Sequence, residues 1–191
     1  MADADRERWD ARYREQGPCA ASPSTLVASL DDLLPRRGRA LDVAGGAGRH
    51  AVWLARRGLD VTLVDVSPVA LDLARAAAGA AGVALDARAL DLERDPLPPG
   101  PWDVIVDFHY LQRDLFASFA RLLAPGGVLV FVQPTRTNLE RHPRPGPAHL
   151  LDDGEAARLV AGLPLEVLRL DEGWLAEGRH EARLVARRTT R

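Results

Sequence analysis

Apolar and polar positions along this chain fall into blocks whose period switches repeatedly between that of a strand and that of a helix. Arg39–Val43 reads as a short apolar strand. Gly48–Arg57 carries helical spacing and stops at Gly58. Asp60–Val64 is a β-branched strand, and Ser67-Pro68 then places a capping residue before a proline at the first helical position. The alanine-rich helix that follows runs to about Ala78, and Val83–Leu90 alternates weakly, as an edge or near-edge strand does. Beyond a turn region at Asp95–Pro101, Trp102–Val106 is nearly all apolar, the pattern of a strand covered on both faces of a parallel sheet. A helix is predicted over Leu111–Leu123, a turn at Ala124–Gly127, and the strongest strand of the chain at Val128–Val132.

The flanks differ from this core. Residues 3–16 are highly charged, with Trp9 and Tyr13 spaced i, i+4, and read as a helix with an aromatic stripe that Gly17-Pro18 stops. Ser24 or its neighbour can cap a second helix reaching Leu34, before Pro35. After a proline- and arginine-rich loop, Pro134–Ala148, a helix is expected at Asp152–Gly162, and two runs, Leu165–Leu170 and Glu181–Ala186, read as an antiparallel hairpin around Asp171–Arg179. Five strands separated by helices argue for an α/β fold, a doubly wound Rossmann-like sheet with helices on both faces. The hairpin allows one reversed strand to insert beside the fifth, giving seven strands in the order 3-2-1-4-5-7-6 with the last antiparallel. No repeats and no linker divide the chain, so residues 1–191 are expected to form one domain.

Composition narrows the function classes. The net charge of −2 gives no bulk attraction for nucleic acid. All 25 basic residues are arginine, which removes lysine nucleophiles and Schiff bases. Cys19 is the only cysteine, so neither an internal disulfide nor a cysteine-rich zinc site is possible. The charged N-terminus lacks the apolar core of a signal peptide and no apolar run spans a bilayer; the expectation is a cytoplasmic protein with no membrane contact.

The chemistry gathers at Leu41–Arg49, where a strand pattern hands over to a helix through Asp42, Ala44, Gly45, Gly46 and Gly48. Glycines let a ligand approach the backbone, and the helix start offers free N–H groups. Gly46–Ala51 also matches a dinucleotide fingerprint, which alone is weak. Asp42 weighs against it, because a carboxylate before the glycines repels a pyrophosphate. S-adenosylmethionine, with a sulfonium and an ammonium and no phosphate, suits that carboxylate. Asp65 closes the next strand, where an acidic residue can accept ribose hydroxyls. Val66 follows it. Asp91 ends the third strand and could accept the adenine amino group, with the backbone N–H of Leu92 facing a ring nitrogen.

On these residues the chain resembles the class I S-adenosylmethionine-dependent methyltransferases. The resemblance is carried by Leu41–Arg49, Val64–Pro68, Leu90–Leu92, Trp102–Val106 and Leu122–Leu129, in the family's order. Ala44 departs from it, standing where the family's first motif usually has glycine. More narrowly, Trp9–Tyr13, Phe108–Arg113 and the His142-Pro143 to Leu150-Leu151 segment resemble small bacterial tellurite-resistance and thiopurine methyltransferases. The resemblance implies that residues 1–35 form a helical lid, with Tyr13 or Trp9 covering the cofactor. It further implies a cofactor-binding core over 36–133, a substrate-side loop over 134–150, and a last helix and hairpin over 151–191.

Methyl transfer is a direct displacement, so the protein mainly aligns the partners and excludes water. Asp107 is expected near the cofactor's amino acid end. His109 is the base candidate at the rim of the fourth strand, and Arg113 could neutralise an anionic substrate. The arginine-rich loop could recruit an oxyanion; a zinc site from His109, His142 and His149 fits no ligand spacing, and no metal is expected. The expected acceptor is a small molecule (a chalcogen oxyanion, a thiol or another metabolite), handled by a monomer or homodimer and leaving S-adenosylhomocysteine as product. The alternatives are an S-adenosylmethionine-binding protein without catalysis and a nicotinamide-dependent reductase. The second is disfavoured by Asp42 and by a length without room for a second domain.

Overall fold

Seven strands form one sheet. In chain order they are β1 (Arg39–Val43), β2 (Asp60–Asp65), β3 (Asp86–Ala89), β4 (Trp102–Phe108), β5 (Leu123–Pro134), β6 (Leu165–Trp174) and β7 (His180–Arg188). Across the sheet they lie β3-β2-β1-β4-β5-β7-β6. β1 to β5 run parallel to one another, and β7 runs antiparallel to both β5 and β6. The expected topology is the observed one. This computed structural model describes residues 2–18, 22–176 and 178–190; Cys19 lies outside them.

Strand periodicity divides the core in two. Val104 and Val106 of β4 face α2 (Thr25–Ser29), α3 (Arg49–Arg56) and α4 (Pro68–Ala80). Ile105 faces α5 (Leu115–Leu122) and α6 (Glu155–Val160) on the other side. On that second face Phe116 stands edge-on to Phe131 at 4.9 Å and to Phe119 at 5.6 Å. Burying each such ring contributes about 2–3 kcal/mol, so Phe131 is a position where truncation would be felt throughout the sheet. The remaining helix, α1 (Ala2–Gln16), buries none of its described residues and rests on α4.

The boundaries shift where backbone geometry overrides pattern. α5 begins at Leu115 rather than Leu111, because the chain leaves β4 through His109 at φ 65 and turns before it can coil. β5 starts directly at Leu123, paired with Trp102, so the turn expected at Ala124–Gly127 lies within a strand. α2 ends at Ser29, and Leu30 and Leu34 enter the core from turns. β3 is half its expected length at the sheet's exposed edge. α6 is likewise shorter than expected, preceded by Gly154 at positive φ. The loop after β5 contains two 3-10 helices, Arg136–Glu140 and Pro147–His149. No helix among the described residues is long and apolar enough to cross a membrane.

Candidate cofactor and acceptor site

β1 delivers the chain into a turn made of left-handed residues. Ala44 has φ 49, Gly46 φ 56 and Gly48 φ 81. An alanine in that region costs about 1–2 kcal/mol, which a glycine would avoid. Gly45 is required for space: a Cβ there would lie 2.6–2.9 Å from the Asp42 carboxyl atoms. The Gly45 N–H donates to the Val64 carbonyl at 3.1 Å and that of Gly46 to Asp65 Oδ2 at 2.9 Å. Asp65 Oδ1 accepts the Ser67 N–H at 2.9 Å. Asp65 therefore staples the glycine turn to the start of α4.

Three buried carboxyls converge around this turn. Asp42 is turned inward beneath Gly45 and accepts the Ala51 N–H at 3.0 Å. Burial pushes its pKa up to about 7, with the Ala51 N–H opposing and Asp65 adding to the rise. Burial raises Asp65 against the N–H groups of Ser67, Gly46 and Val66. Asp107, opposite Val43 in the β1–β4 register, is raised well above the carboxylate range by burial, with the Tyr110 N–H opposing. Its Oδ1 is buried without a hydrogen-bond partner among the described residues. All three accept backbone N–H groups rather than basic side chains. Such a donor set favours a cationic ligand and would repel a pyrophosphate, so the residues present fit S-adenosylmethionine.

The ends of β2 and β3 meet on one side of the turn. The backbone carbonyl of Asp65 accepts the Leu90 N–H at 3.0 Å, bringing the end of β3 alongside, and Val66 is half-buried beyond β2. Asp91 Oδ1 accepts the Glu93 N–H at 3.1 Å; its Oδ2 is 3.5 Å from Arg94 Nε. The Leu92 side chain is buried in the α5–α6 core. α1 lies over the turn. The Tyr13 hydroxyl occupies the space a Cβ on Gly46 would need, Trp9 stacks on Tyr13 at 6.0 Å, and Asp10 accepts the Ser67 hydroxyl at 2.5 Å.

Beside the turn, the sheet register builds a second feature. Val106, Val130 and Val185 form an apolar row across β4, β5 and β7. One step towards the strand ends, the same face carries Phe108, Val132 and Arg183. These three floor a cavity of about 290 Å³, which Ser24, Arg49, His109, Leu175, Arg179 and Glu181 help to line. His109 Nε2 is 3.0 Å from Glu181 Oε1. Burial raises the Glu181 carboxyl, but His109, Arg183 and Arg179 together hold it below the usual glutamate range. His50 stacks on Phe108 at 4.0 Å and accepts the Ser24 N–H at 3.4 Å. Burial, then the charges of Arg49 and His109, lower its pKa to about 3, so it stays neutral.

The structure separates His109 from Arg113. The Arg113 guanidinium binds both Glu155 oxygens, at 2.5 and 2.9 Å, and the Leu150 carbonyl at 3.3 Å, away from the cavity. Two of the three arginines of the 134–150 loop are also engaged: Arg136 pairs with Asp152, and Arg141 lies 3.8 Å over the Trp174 ring. His142 Nε2 is 2.7 Å from the Gly178 carbonyl oxygen. No group of three or more metal-ligating side chains exists among the described residues. Sequence reasoning missed Glu181, Arg183, Arg49 and Arg179. A signal was present, since strand alternation puts Glu181 and Arg183 on the face of Val185, where two charges imply a cavity.

Residues 40–127 match a family profile described as "Methyltransferase domain". An uncharacterized protein of Mycobacterium tuberculosis strain H37Rv is 38% identical over 111 residues, 55% of this chain and 39% of its own length. A ubiquinone biosynthesis O-methyltransferase from Xanthomonas axonopodis pv. citri is 30% identical over 135 residues, 68% of this chain and 56% of its own. The matches thus span about half or less of these curated relatives. Among solved structures, magnesium protoporphyrin IX methyltransferase from Synechocystis PCC 6803 with bound S-adenosylhomocysteine superposes with a TM-score of 0.75 at 16% identity, covering 98% of this chain and 99% of that one.

Proposed function

We propose, from the premise that residues 40–127 are a methyltransferase domain on the Rossmann-like, S-adenosylmethionine-dependent plan, that the protein methylates a small molecule held in the cavity at His109. The observation that carries this reading is the juxtaposition at the strand ends. A turn lined by uncompensated buried carboxyls lies beside a cavity containing a histidine–glutamate pair. The cofactor supplies a methyl group activated on a positively charged sulfur. Asp42, Asp107 and the turn at Ala44, Gly45, Gly46 and Gly48 hold its amino acid end. Asp65 and Val66 serve the ribose, Asp91 and Leu92 the adenine, and Tyr13 covers it from α1. His109 accepts the acceptor's proton. Arg113 supports the site from outside by fixing α6 to the loop before it.

The acceptor class embraces chalcogen oxyanions, thiols and other small metabolites. The narrower resemblance to tellurite-resistance and thiopurine methyltransferases favours the first two. The similar ubiquinone biosynthesis enzyme is by its name an O-methyltransferase, which favours oxygen. The test is transfer from methyl-labelled cofactor to a panel of hydroxyl, thiol and chalcogen-oxyanion acceptors. Transfer to at least one supports the reading. Tight binding of S-adenosylhomocysteine with transfer to none would favour a binding protein without catalysis.

A further inference from the structure

The cavity beside the glycine turn has a charge pattern that the methyl transfer itself does not require. Three guanidinium groups, Arg49, Arg179 and Arg183, line it against one carboxylate, Glu181. Among the described lining residues, guanidinium groups thus outnumber carboxylates. Glu181 is 4% exposed. Arg179 Nη1 lies 3.8 Å and Arg183 Nε 3.6 Å from its oxygens, ion-pair distances longer than hydrogen bonds. Among the described residues its carboxylate has a hydrogen-bond contact with His109, at 3.0 Å. Arg179 is half-exposed and projects from the β6–β7 connection, where it can swing over a ligand.

His109 carries a further mark of function. It adopts φ 65, a region costly for a side chain with a Cβ, and its N–H donates to the Val132 carbonyl at 2.8 Å. That geometry brings the imidazole back to Glu181 on β7. With the proton on Nε2 facing the carboxylate, Nδ1 keeps its lone pair, and the imidazolium formed on protonation is stabilised by Glu181.

Resting on the methyltransferase reading, we propose that the acceptor is a small organic acid bearing a hydroxyl or thiol. Its carboxylate is held by Arg179 and Arg183 with Arg49 at the rim, and its O–H or S–H faces His109, which Glu181 positions. The acceptor's O–H or S–H bond breaks and its proton goes to His109. The freed electron pair forms the bond to the transferred methyl, whose former bond to sulfur breaks with the pair left on sulfur. The cavity of about 290 Å³ lies at the small end of small-molecule sites and suits a single ring or a short chain. A negative acceptor also enters more readily beside a cationic cofactor than a neutral one does.

The experiment begins with protein saturated with S-adenosylhomocysteine, so that binding is read without turnover. Calorimetry compares hydroxybenzoates, mercaptobenzoates and short hydroxy acids with their neutral amides. The expected result is that one acid binds at least roughly tenfold more tightly than its amide and that Arg179→Gln removes this preference. Equal affinity for every acid–amide pair, or a preference unchanged in both Arg179→Gln and Arg183→Gln, overturns the proposal. Failure of S-adenosylhomocysteine itself to bind would overturn the cofactor reading on which it rests. For the proton step, asparagine tolerates the left-handed backbone, so His109→Asn is the suitable variant. It should lower kcat for a hydroxyl acceptor about a hundredfold yet spare a nitro-substituted analogue whose phenol is already ionised. Glu181→Gln should show the same dependence on acceptor acidity, more weakly. Equal losses for both acceptors would mean that the pair only shapes the cavity.

Discussion

At the residue scale, Ala44 and His109 both hold left-handed backbone, at φ 49 and 65, for different reasons. His109 uses the strain to reach Glu181 across the sheet. Ala44 gains no comparable contact, so Ala44→Gly should raise unfolding stability by about 1 kcal/mol in urea titration without weakening cofactor binding. Asp42 makes a pH-dependent prediction. Its folded pKa of about 7 lies above the ordinary aspartate value of 3.8, so the folded state binds the extra proton between these values. The stability it contributes is therefore present below pH ~4 and is lost as pH rises through ~7. Relative to wild type, Asp42→Asn should gain roughly 2–4 kcal/mol between pH 4 and pH 8 in the cofactor-free protein. A cationic cofactor reverses the preference by favouring the ionised carboxyl. Binding should thus release a proton near neutral pH, visible as a calorimetric heat that varies with buffer ionisation enthalpy and fades in Asp42→Asn.

At the element scale, α1 is held by Asp10 at Ser67 and Tyr13 at Gly46 rather than by buried apolar surface. Removing residues 1–16 should leave the thermal transition of the cofactor-free protein little changed while lowering S-adenosylhomocysteine affinity about tenfold or more; unchanged affinity would show that α1 does not cover the ligand. Arg113→Gln breaks the bond between the chain after β4 and α6. Because the pair is partly exposed, the loss should be about 1 kcal/mol of stability, with acceptor KM unaffected. Elements were legible where apolar runs were continuous: β1 has the expected boundaries, and β2 and β4 differ only by extending further at their ends. They were illegible where one residue's φ set the boundary, as His109 does for α5, or where a helix passes into a strand without punctuation, as at Leu123. The gathering of Asp42, Asp65 and Asp107 around the glycine turn was legible because each lies at or beside the end of its strand in sequence. The pairing of His109 with Glu181 was not, because it joins residues 72 positions apart and depends on the register Pro134↔Glu181.

At the scale of the whole molecule, reversal of strand order between β1 and β4 opens the crevice in which such sheets bind ligands. The inserted antiparallel β7 closes its far side by bringing Glu181 and Arg183 up to β5. One half of the crevice gathers the buried carboxyls of Asp42, Asp65 and Asp107, which a cationic ligand would draw into the ionised form; the other is lined by Arg49, Arg179 and Arg183. A positively charged cofactor and a negatively charged acceptor would thus be sorted by field before they meet. The central claim is that the first half selects S-adenosylmethionine, and the most direct measurement is equilibrium titration of the intact protein with S-adenosylmethionine, S-adenosylhomocysteine, NAD and NADP. The account predicts one-to-one binding of the two S-adenosyl compounds and no measurable binding of either dinucleotide; saturable binding of a dinucleotide at equal or higher affinity would contradict it.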